Sequence, residues 1–314
     1  MGVYALKRVG LAVLIVLSAL FLLFVGVQFI PGDAVTLALG PKASPEAVAR
    51  YTEKMGLDDP VVVQFLIFIG NALQGDLGQD ILSGRDVTLM VLEEFPYTLA
   101  LALAGLGWAV AVGVPLGCLS AVWPNSWADR ITGVLAVGTS TIPSFLVAIW
   151  SLLIFAIALK WLPVIGAGEP GNLTDQLRHL ILPAFAVGLG WVGYLARMVR
   201  ASMLEVLGEN YIKAARAFGL PTRTVIYRYA LKVAILPIIT LIGLGFGGML
   251  NGAVFAEIIF TRPGLGTLAY EAVLARNFPV VQGTLLVVAG LYVLTMLTTD
   301  LVIAWLDPRV RESL

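Results

Sequence analysis

The chain has 314 residues, 59% of them hydrophobic and 13% charged, with 20 basic side chains balanced by 20 acidic ones. A mean hydropathy of +0.92 is too apolar for a soluble domain of this length, and a formal net charge of zero offers no footing for a nucleic-acid partner. A single cysteine, Cys118, and a single histidine, His179, exclude a disulfide framework and leave thiolate or imidazole metal sites and Cys/His or Ser/His catalytic pairs poorly supplied.

Lys7 and Arg8 precede an apolar run from Val9 to Ile30. That run exceeds the roughly 7–15 residues of a signal-peptide core and lacks a convincing small-x-small cleavage site, so it reads as an uncleaved first transmembrane helix. Crossing a hydrocarbon layer of about 30 Å takes roughly 20 apolar residues. On that measure six spans fall at 9–30, 97–122, 131–159, 180–200, 238–260 and 284–306. The fourth is weakly bounded, because Arg197 ends its uninterrupted apolarity and Pro183 lies near its start. Trp123 to Arg130 forms a tight polar turn between the second and third spans, with tryptophans suited to the membrane interface.

The loop between the first two spans, 31–95, carries short elements of its own. Ser44-Pro45-Glu46 opens a helical stretch that Gly56 can close. Asp59-Pro60 starts a second, with Asp59 as N-cap and Pro60 at the first helical position. Val61 to Leu73 is too short to span and is expected to lie against the membrane domain. Gly75-Asp76-Leu77-Gly78 reads as a turn. No separate soluble domain and no short-period repeat is visible. The domain division is thus 1–30 as the first helix, 31–95 as an outer loop and 96–314 as a five-helix core.

The placement of basic residues sets the orientation. With the N-terminus inside, Lys7, Arg8, Arg130, Arg197, Arg200, Lys213, Arg216, Arg223, Arg228, Lys232, Arg309 and Arg311 all fall on the inner side. The outer loop instead carries an excess of acids, and both termini are cytoplasmic in this reading.

The inner segment from Arg197 to Pro237 is the most informative stretch. Leu204, Leu207, Tyr211, Ala214/Ala215 and Phe218 recur at spacings of three and four, which predicts one shared helical face. Glu209 and Lys213 stand four apart in the favourable order, and Gly219-Leu220-Pro221 is a stop signal. A second helical stretch, Thr222 to Leu236, carries Arg223, Arg228 and Lys232. A basic amphipathic helix commonly lies on headgroups or merely enforces topology. A face of small residues, Ala214, Ala215 and Ala217, suits close docking on another protein instead, and both readings stand on the residues alone.

Ionisable residues within spans are functional hypotheses by default. Asp300 in the sixth span either caps near the inner interface or lines a central path. Glu257, near the outer end of the fifth span with Arg262 close by, fits an interfacial pair or gate contact. The fifth-span glycines Gly243, Gly245, Gly247, Gly248 and Gly252 allow close helix packing, a pore-lining or hinge surface, or both.

Taken together, several motifs resemble a known family. Lys213-Ala214-Ala215 with Gly219 four residues on, followed later by Leu236-Pro237, resembles the EAA loop of binding-protein-dependent ABC importer permeases. The resemblance runs nearly end to end. It includes Gly75-Asp76-Leu77-Gly78, Thr141-Ile142-Pro143-Ser144-Phe145, Leu182-Pro183-Ala184-Phe185 and Arg200-Ala201-Ser202-Met203-Leu204-Glu205-Val206-Leu207. Further on it takes in Glu257 with Phe260 and Pro263-Gly264-Leu265-Gly266, Pro279-Val280-Val281-Gln282-Gly283 and Asp307-Pro308-Arg309-Val310-Arg311. Lys213 stands where the general motif has glutamate, and the spacer from Gly219 to Leu236-Pro237 is longer than in sugar permeases. Both departures point to the dipeptide/oligopeptide/nickel/glutathione branch, first-permease type.

The resemblance implies an all-α integral membrane protein of six transmembrane helices, with the type I ABC importer permease (MetI-like) fold and a cytoplasmic coupling helix within 205–221. It implies a second homologous permease, two cytoplasmic ABC ATPase subunits and an extracytoplasmic substrate-binding protein as partners, in a bacterial or archaeal inner membrane. ATP and Mg²⁺ would be bound by the ATPases, and no cofactor or metal by this chain. The coupling residues it marks are Tyr211, Lys213, Ala214, Ala215, Arg216 and Gly219, with Glu257 and Asp300 as candidates for the path or gate and no catalytic residue. The sequence has no G-x-x-x-x-G-K-[ST], so energy would come from a partner or an ion gradient. Peptides are the expected cargo, with nickel, glutathione and oligosaccharides left open. The rivals are an ion-driven secondary transporter, which would show paired broken helices and a midplane ion site, and an intramembrane enzyme. Asp300 stands alone and Ser151 has no visible base, which leaves an enzyme without its machinery.

Overall fold

A computed structural model describes residues 2–28, 44, 46, 52 and 59–306. Among these the only β pairing is an isolated bridge between Gln79 and Asp86. The helices are α1 (Gly2–Gln28), α2 (Val61–Ala72), α3 (Val87–Val122), α4 (Trp127–Thr141), α5 (Ser144–Ser151), α6 (Leu173–Leu207), α7 (Asn210–Ala217), α8 (Thr222–Thr224), α9 (Leu231–Ala234), α10 (Leu236–Ile259), α11 (Leu265–Leu274) and α12 (Phe278–Leu306). Two π-helical stretches join them: Leu152–Ala158 continues α5, and Val225–Ala230 links α8 to α9. The helix expected from Ser44 to Gly56 falls largely outside the described residues, and so do Arg309 and Arg311.

By length and composition α1, α3, α6, α10 and α12 can each cross a membrane. The expected third span, 131–159, is not one straight helix. It is a pair, α4 and α5 with its π-helical continuation, bent by 100°. Pro143 supplies no N–H and disfavours helix at the residue before it, and Ile142 accordingly adopts extended backbone at φ −83°, ψ 122°. Counted as one span, the pair brings the total to the six expected.

Two compact units divide the chain: Leu99–Arg262 with Thr295–Leu314, and Gly2–Thr98 with Pro263–Leu294. In the first, α6 is the hub, with α4, α5 and α10 packed on it. It is longer than the expected 180–200. Asn172 caps its N-terminus by accepting the Asp175 N–H at 3.2 Å, and Pro183 is carried inside it. Near that proline the Trp108 indole of α3 donates to the Ala184 carbonyl at 2.8 Å and stacks on Phe185. The α3–α6 contact is built on Gly105, Gly113 and Gly117. A Cβ at these positions would lie 2.6 Å from Val187, 2.8 Å from the Val192 carbonyl and 2.5 Å from the Ala196 carbonyl. Lipid tails are as apolar as leucine, so in a bilayer such backbone proximity replaces hydrophobic burial as the source of helix association.

In the second unit Phe65 and Phe68 of α2 pack edge-on or tilted against Phe21 and Phe24 of α1 at centroid distances of 5.4–5.5 Å. The short helix therefore lies on a membrane helix, as expected. Its cap is one residue later than expected: Pro60 is the N-cap, accepting from Val63 and Gln64 N–H groups, and no side chain caps it. Gly75 and Gly78 take φ of 86° and 92° in the predicted turn. The turn drives Leu77 into a core with Val87, Val91, Leu265, Ala272, Val280 and Val281. Next to it Asp80 is buried and accepts hydrogen bonds from the Ser83 hydroxyl, the Asn277 amide and the Leu82 and Ser83 N–H groups. Burial alone raises its carboxyl pKa, but these bonds together outweigh it and hold the group below the usual carboxylate range.

Candidate functional site: an inner docking helix and a cavity at the broken span

At Gly208-Glu209 the chain leaves α6 and starts α7, with Glu209 as N-cap and its carbonyl accepting from the Ile212 and Lys213 N–H groups at 3.1 Å. Helix α7 ends in a Schellman closure. The Leu220 N–H bonds the Ala215 carbonyl at 3.2 Å, the Gly219 N–H bonds that of Arg216 at 3.0 Å, and Gly219 sits at φ 77°. This closure is the predicted stop.

The break resets the helical phase, so the expected common face of Leu204, Leu207, Tyr211, Ala214/Ala215 and Phe218 does not form. The inward side of α7 is Ile212 and Ala215, both buried. Tyr211, Ala214 and Phe218 turn outward, with Phe218 86% exposed. Lys213, Arg216, Arg223, Arg228 and Lys232 are exposed as well. Glu209 and Lys213 form no ion pair here. Partial burial and then the Glu209 charge raise the Tyr211 phenol above its usual range, so it stays neutral. Ala215 is therefore a packing residue of this chain, whereas Ala214 is the small residue presented outward. The stretch expected as one helix from Thr222 to Leu236 is interrupted by a π-helical turn, with Val225, Ile226 and Ala230 buried. The Ser202 hydroxyl donates to the Ala234 carbonyl at 2.9 Å and ties α9 to α6.

A polar cluster that sequence reasoning missed anchors the same inner region. Arg200 of α6 donates from Nε to Asp129 Oδ1 at 2.6 Å and from Nη2 to Oδ2 at 2.8 Å. Its Nε also reaches Ser120 Oγ at 3.1 Å, and the Ser120 hydroxyl itself bonds Asp129. The Asn125 N–H completes the carboxylate at 2.9 Å. The sequence signal was an acid in the first turn of α4 and an arginine near the inner end of α6, placed at one membrane level by the topology.

The bend between α4 and α5 opens a cavity of about 420 Å³ within the first unit. Ser140, Ile142 and Ser144 line it from the bend, Gly190, Trp191 and Tyr194 from α6, and Gly248, Asn251 and Phe255 from α10. The bend and α6 contribute from the middle of their stretches, and α10 from its second half. Trp191 packs edge-on to Tyr194 at 5.3 Å. It also lies against α10 where a Cβ at Gly248 would meet the indole at 2.6–2.9 Å. Phe145 and Phe255 pair at 6.0 Å beside it. Neither Glu257 nor Asp300 lines this cavity: Glu257 is fully buried, with its carbonyl accepting the Arg262 N–H at 2.8 Å, and Asp300 is half-buried on α12. The missed signal was an asparagine in the middle of an apolar span.

Comparison with known proteins agrees with this architecture. Residues 113–312 match the family model "Binding-protein-dependent transport system inner membrane component", and residues 1–102 match its N-terminal companion. The "Glutathione transport system permease protein GsiC" of Escherichia coli (strain K12) is 36% identical over 310 residues, 98% of each chain. Its counterpart in Salmonella choleraesuis is 35% identical over 308 residues, again 98% of each. Among solved structures, an inward-facing MetNI methionine ABC transporter matches with a TM-score of 0.56 at 16% identity, covering 70% of this chain and 97% of that one. An amino acid ABC transporter with histidines matches at 0.51 and 17% identity, covering 71% and 94%.

Proposed function

The chain belongs to the family of binding-protein-dependent transport system inner membrane components, and from that premise we propose that it is one of two homologous permeases in an ATP-driven importer of di- or oligopeptides. It is a multi-pass membrane permease of a binding-protein-dependent ABC importer with the type I fold. In the assembly proposed here, two cytoplasmic ATPase subunits bind ATP and Mg²⁺, an outer binding protein delivers substrate, and both termini of this chain are cytoplasmic. This chain supplies no nucleotide site and no catalytic residue. Glutathione is the first alternative cargo, because the permeases named for it align with nearly the whole chain. Since glutathione is itself a tripeptide, the two readings ask for similar chemistry. Nickel and oligosaccharides are the others.

The observation that carries the reading is the outward face of α7, where Tyr211, Ala214 and Phe218 stand exposed among the exposed Lys213 and Arg216. A helix that merely enforced topology would not need a phase that buries Ile212 and Ala215 and presents a small residue between two aromatics. When ATP closes the ATPase pair, α7 is pushed, and through the buried Ile212 side and Ser202 the motion reaches α6 and its packed helices. The membrane helices then rock between inward- and outward-open states. The broken span is a feature shared with ion-driven carriers, yet the cavity it lines holds no carboxylate to bind a coupling ion. Uptake into proteoliposomes decides between them: changing the Walker lysine of the partner ATPase should abolish transport. Persistence of uptake driven by an ion gradient alone would refute ATP coupling.

A further inference from the structure

We propose that the cavity at the α4–α5 bend is a resting site for substrate within the membrane, built to take an uncharged, hydrogen-bonding stretch of solute with apolar surface, such as a peptide backbone, rather than a bare divalent cation. The inference rests on the permease reading above and names what its membrane path recognises.

The first argument is depth. The bend at Ile142-Pro143 and Trp191 lie near the middle of their helical stretches, and Asn251 lies well inside the 24-residue α10. Broken backbone at that depth is tolerated only where it is buried in protein or lines an aqueous cavity. Asn251 is exposed from the chain there, and an amide facing lipid tails would lose its hydrogen bonds with nothing in return.

The second argument is unspent polar capacity. The Asn251 amide and the Ser144 and Tyr194 hydroxyls make no hydrogen bond among the described residues, and neither does the Trp191 indole N–H. By contrast, Ser140 is satisfied by the Val137 carbonyl at 3.2 Å. The free groups offer both donors and acceptors, which matches an amide or hydroxyl chain.

The third argument is charge. The lining holds no carboxylate, no lysine or arginine, no histidine and no cysteine. His179 is engaged with the Asp175 carbonyl at 2.8 Å, and Cys118 is buried on α3. Nickel takes imidazole, thiolate or carboxylate ligands, and none faces this space. The aromatic walls are fixed instead. The bare backbone at Gly245 and Gly248 lets the Trp191 indole lie flat against α10, so its face is ready for an apolar side of the solute. A cavity of about 420 Å³ falls in the range of clefts that take small molecules.

The test uses the full complex with its binding protein and ATPases in proteoliposomes, and tri-alanine, reduced glutathione, maltotriose and Ni²⁺ as probes. Asn251→Leu should cut ATP-driven uptake of whichever of tri-alanine, reduced glutathione and maltotriose the unmodified complex carries at least tenfold. ATPase stimulation by the loaded binding protein should stay within twofold, because the docking helix is untouched. Unchanged uptake in both Asn251→Leu and Trp191→Ala, or a preference of the unmodified complex for Ni²⁺, would overturn the proposal. If both variants fail to assemble, Asn251→Cys supplies a second measurement. That thiol should react with a water-soluble methanethiosulfonate far faster than Cys118, and the carried probe should protect it. Reaction no faster than at Cys118 would overturn the site. Loss of all ATP-dependent uptake and of stimulated ATPase in the unmodified complex would instead count against the permease reading.

Discussion

The Asp129–Arg200–Ser120 cluster makes a stability prediction that can be worked through from its geometry. Removing the carboxylate with Asp129→Ala takes away two of the three acceptors of Arg200, at 2.6 and 2.8 Å, leaving Ser120 Oγ at 3.1 Å, and removes the acceptor of the Asn125 N–H. The Arg200 side chain is 34% exposed and that of Asp129 10%. Stranding one partner of a fully buried pair costs about 3–5 kcal/mol, while a solvent-exposed pair contributes about 0–1 kcal/mol. With about two thirds of the Arg200 side chain shielded and the rest able to recover water, the loss should be about 2–3 kcal/mol, between those limits. Arg200→Ala should cost a similar amount. Because each single change breaks the same contacts, the double variant should be less destabilised than the sum by about 1.5 kcal/mol or more. Chemical unfolding of the four proteins in mixed micelles measures the cycle. A coupling within about 0.5 kcal/mol of zero, the noise of independent sites, would refute the claim that these groups act as one buried unit.

Two further outcomes follow from the packing. Ala214→Glu should leave folding intact and abolish co-purification of the ATPase, since Ala214 is exposed. Ala215→Trp should instead destabilise the segment itself by about 1–3 kcal/mol through overpacking; equal behaviour in the two variants by pull-down and thermal unfolding would contradict the assigned phase of α7. For Asp80, the folded carboxyl lies below its ordinary value. Its stabilising contribution is therefore present above the ordinary carboxylate pKa of about 4 and lost as pH falls through that value toward the folded one. Stability followed from pH 6 downward should fall less steeply in Asp80→Asn than in the unmodified protein, and parallel curves would rule the linkage out.

Much of this was legible in the sequence because it depends on local chemistry. The stop at Gly219 needs only a residue that tolerates positive φ, and the length of Val61–Leu73 alone forbids a span. The corner at Pro143 was equally local, yet apolar composition from 131 to 159 masked it: hydropathy counts residues and does not register a missing N–H. The phase of α7 was lost for a different reason. A helical stripe carried forward from Leu204 and Leu207 assumes unbroken periodicity, and the turn at Gly208-Glu209 ends it. The α3 stripe of Gly105, Gly113 and Gly117 is readable as a pattern, but only the approach of α6 gives it meaning. The partners of Arg200 lie 71 and 80 residues away, a separation that no window along the chain spans.

The shortness of α7 has a consequence for assembly. Eight residues of helix are roughly 12 Å long, and their outward side offers Tyr211, Ala214 and Phe218 with a few flanking charges. Stable interfaces bury about 1,200–2,000 Å², more than such a foothold supplies. In the proposed assembly each permease alone would thus grip the ATPases only fleetingly. Two footholds engaged at once turn the second contact into an intramolecular event at millimolar effective concentration. The importer would then be held together by avidity, and loss of either permease should release the ATPase pair from the other.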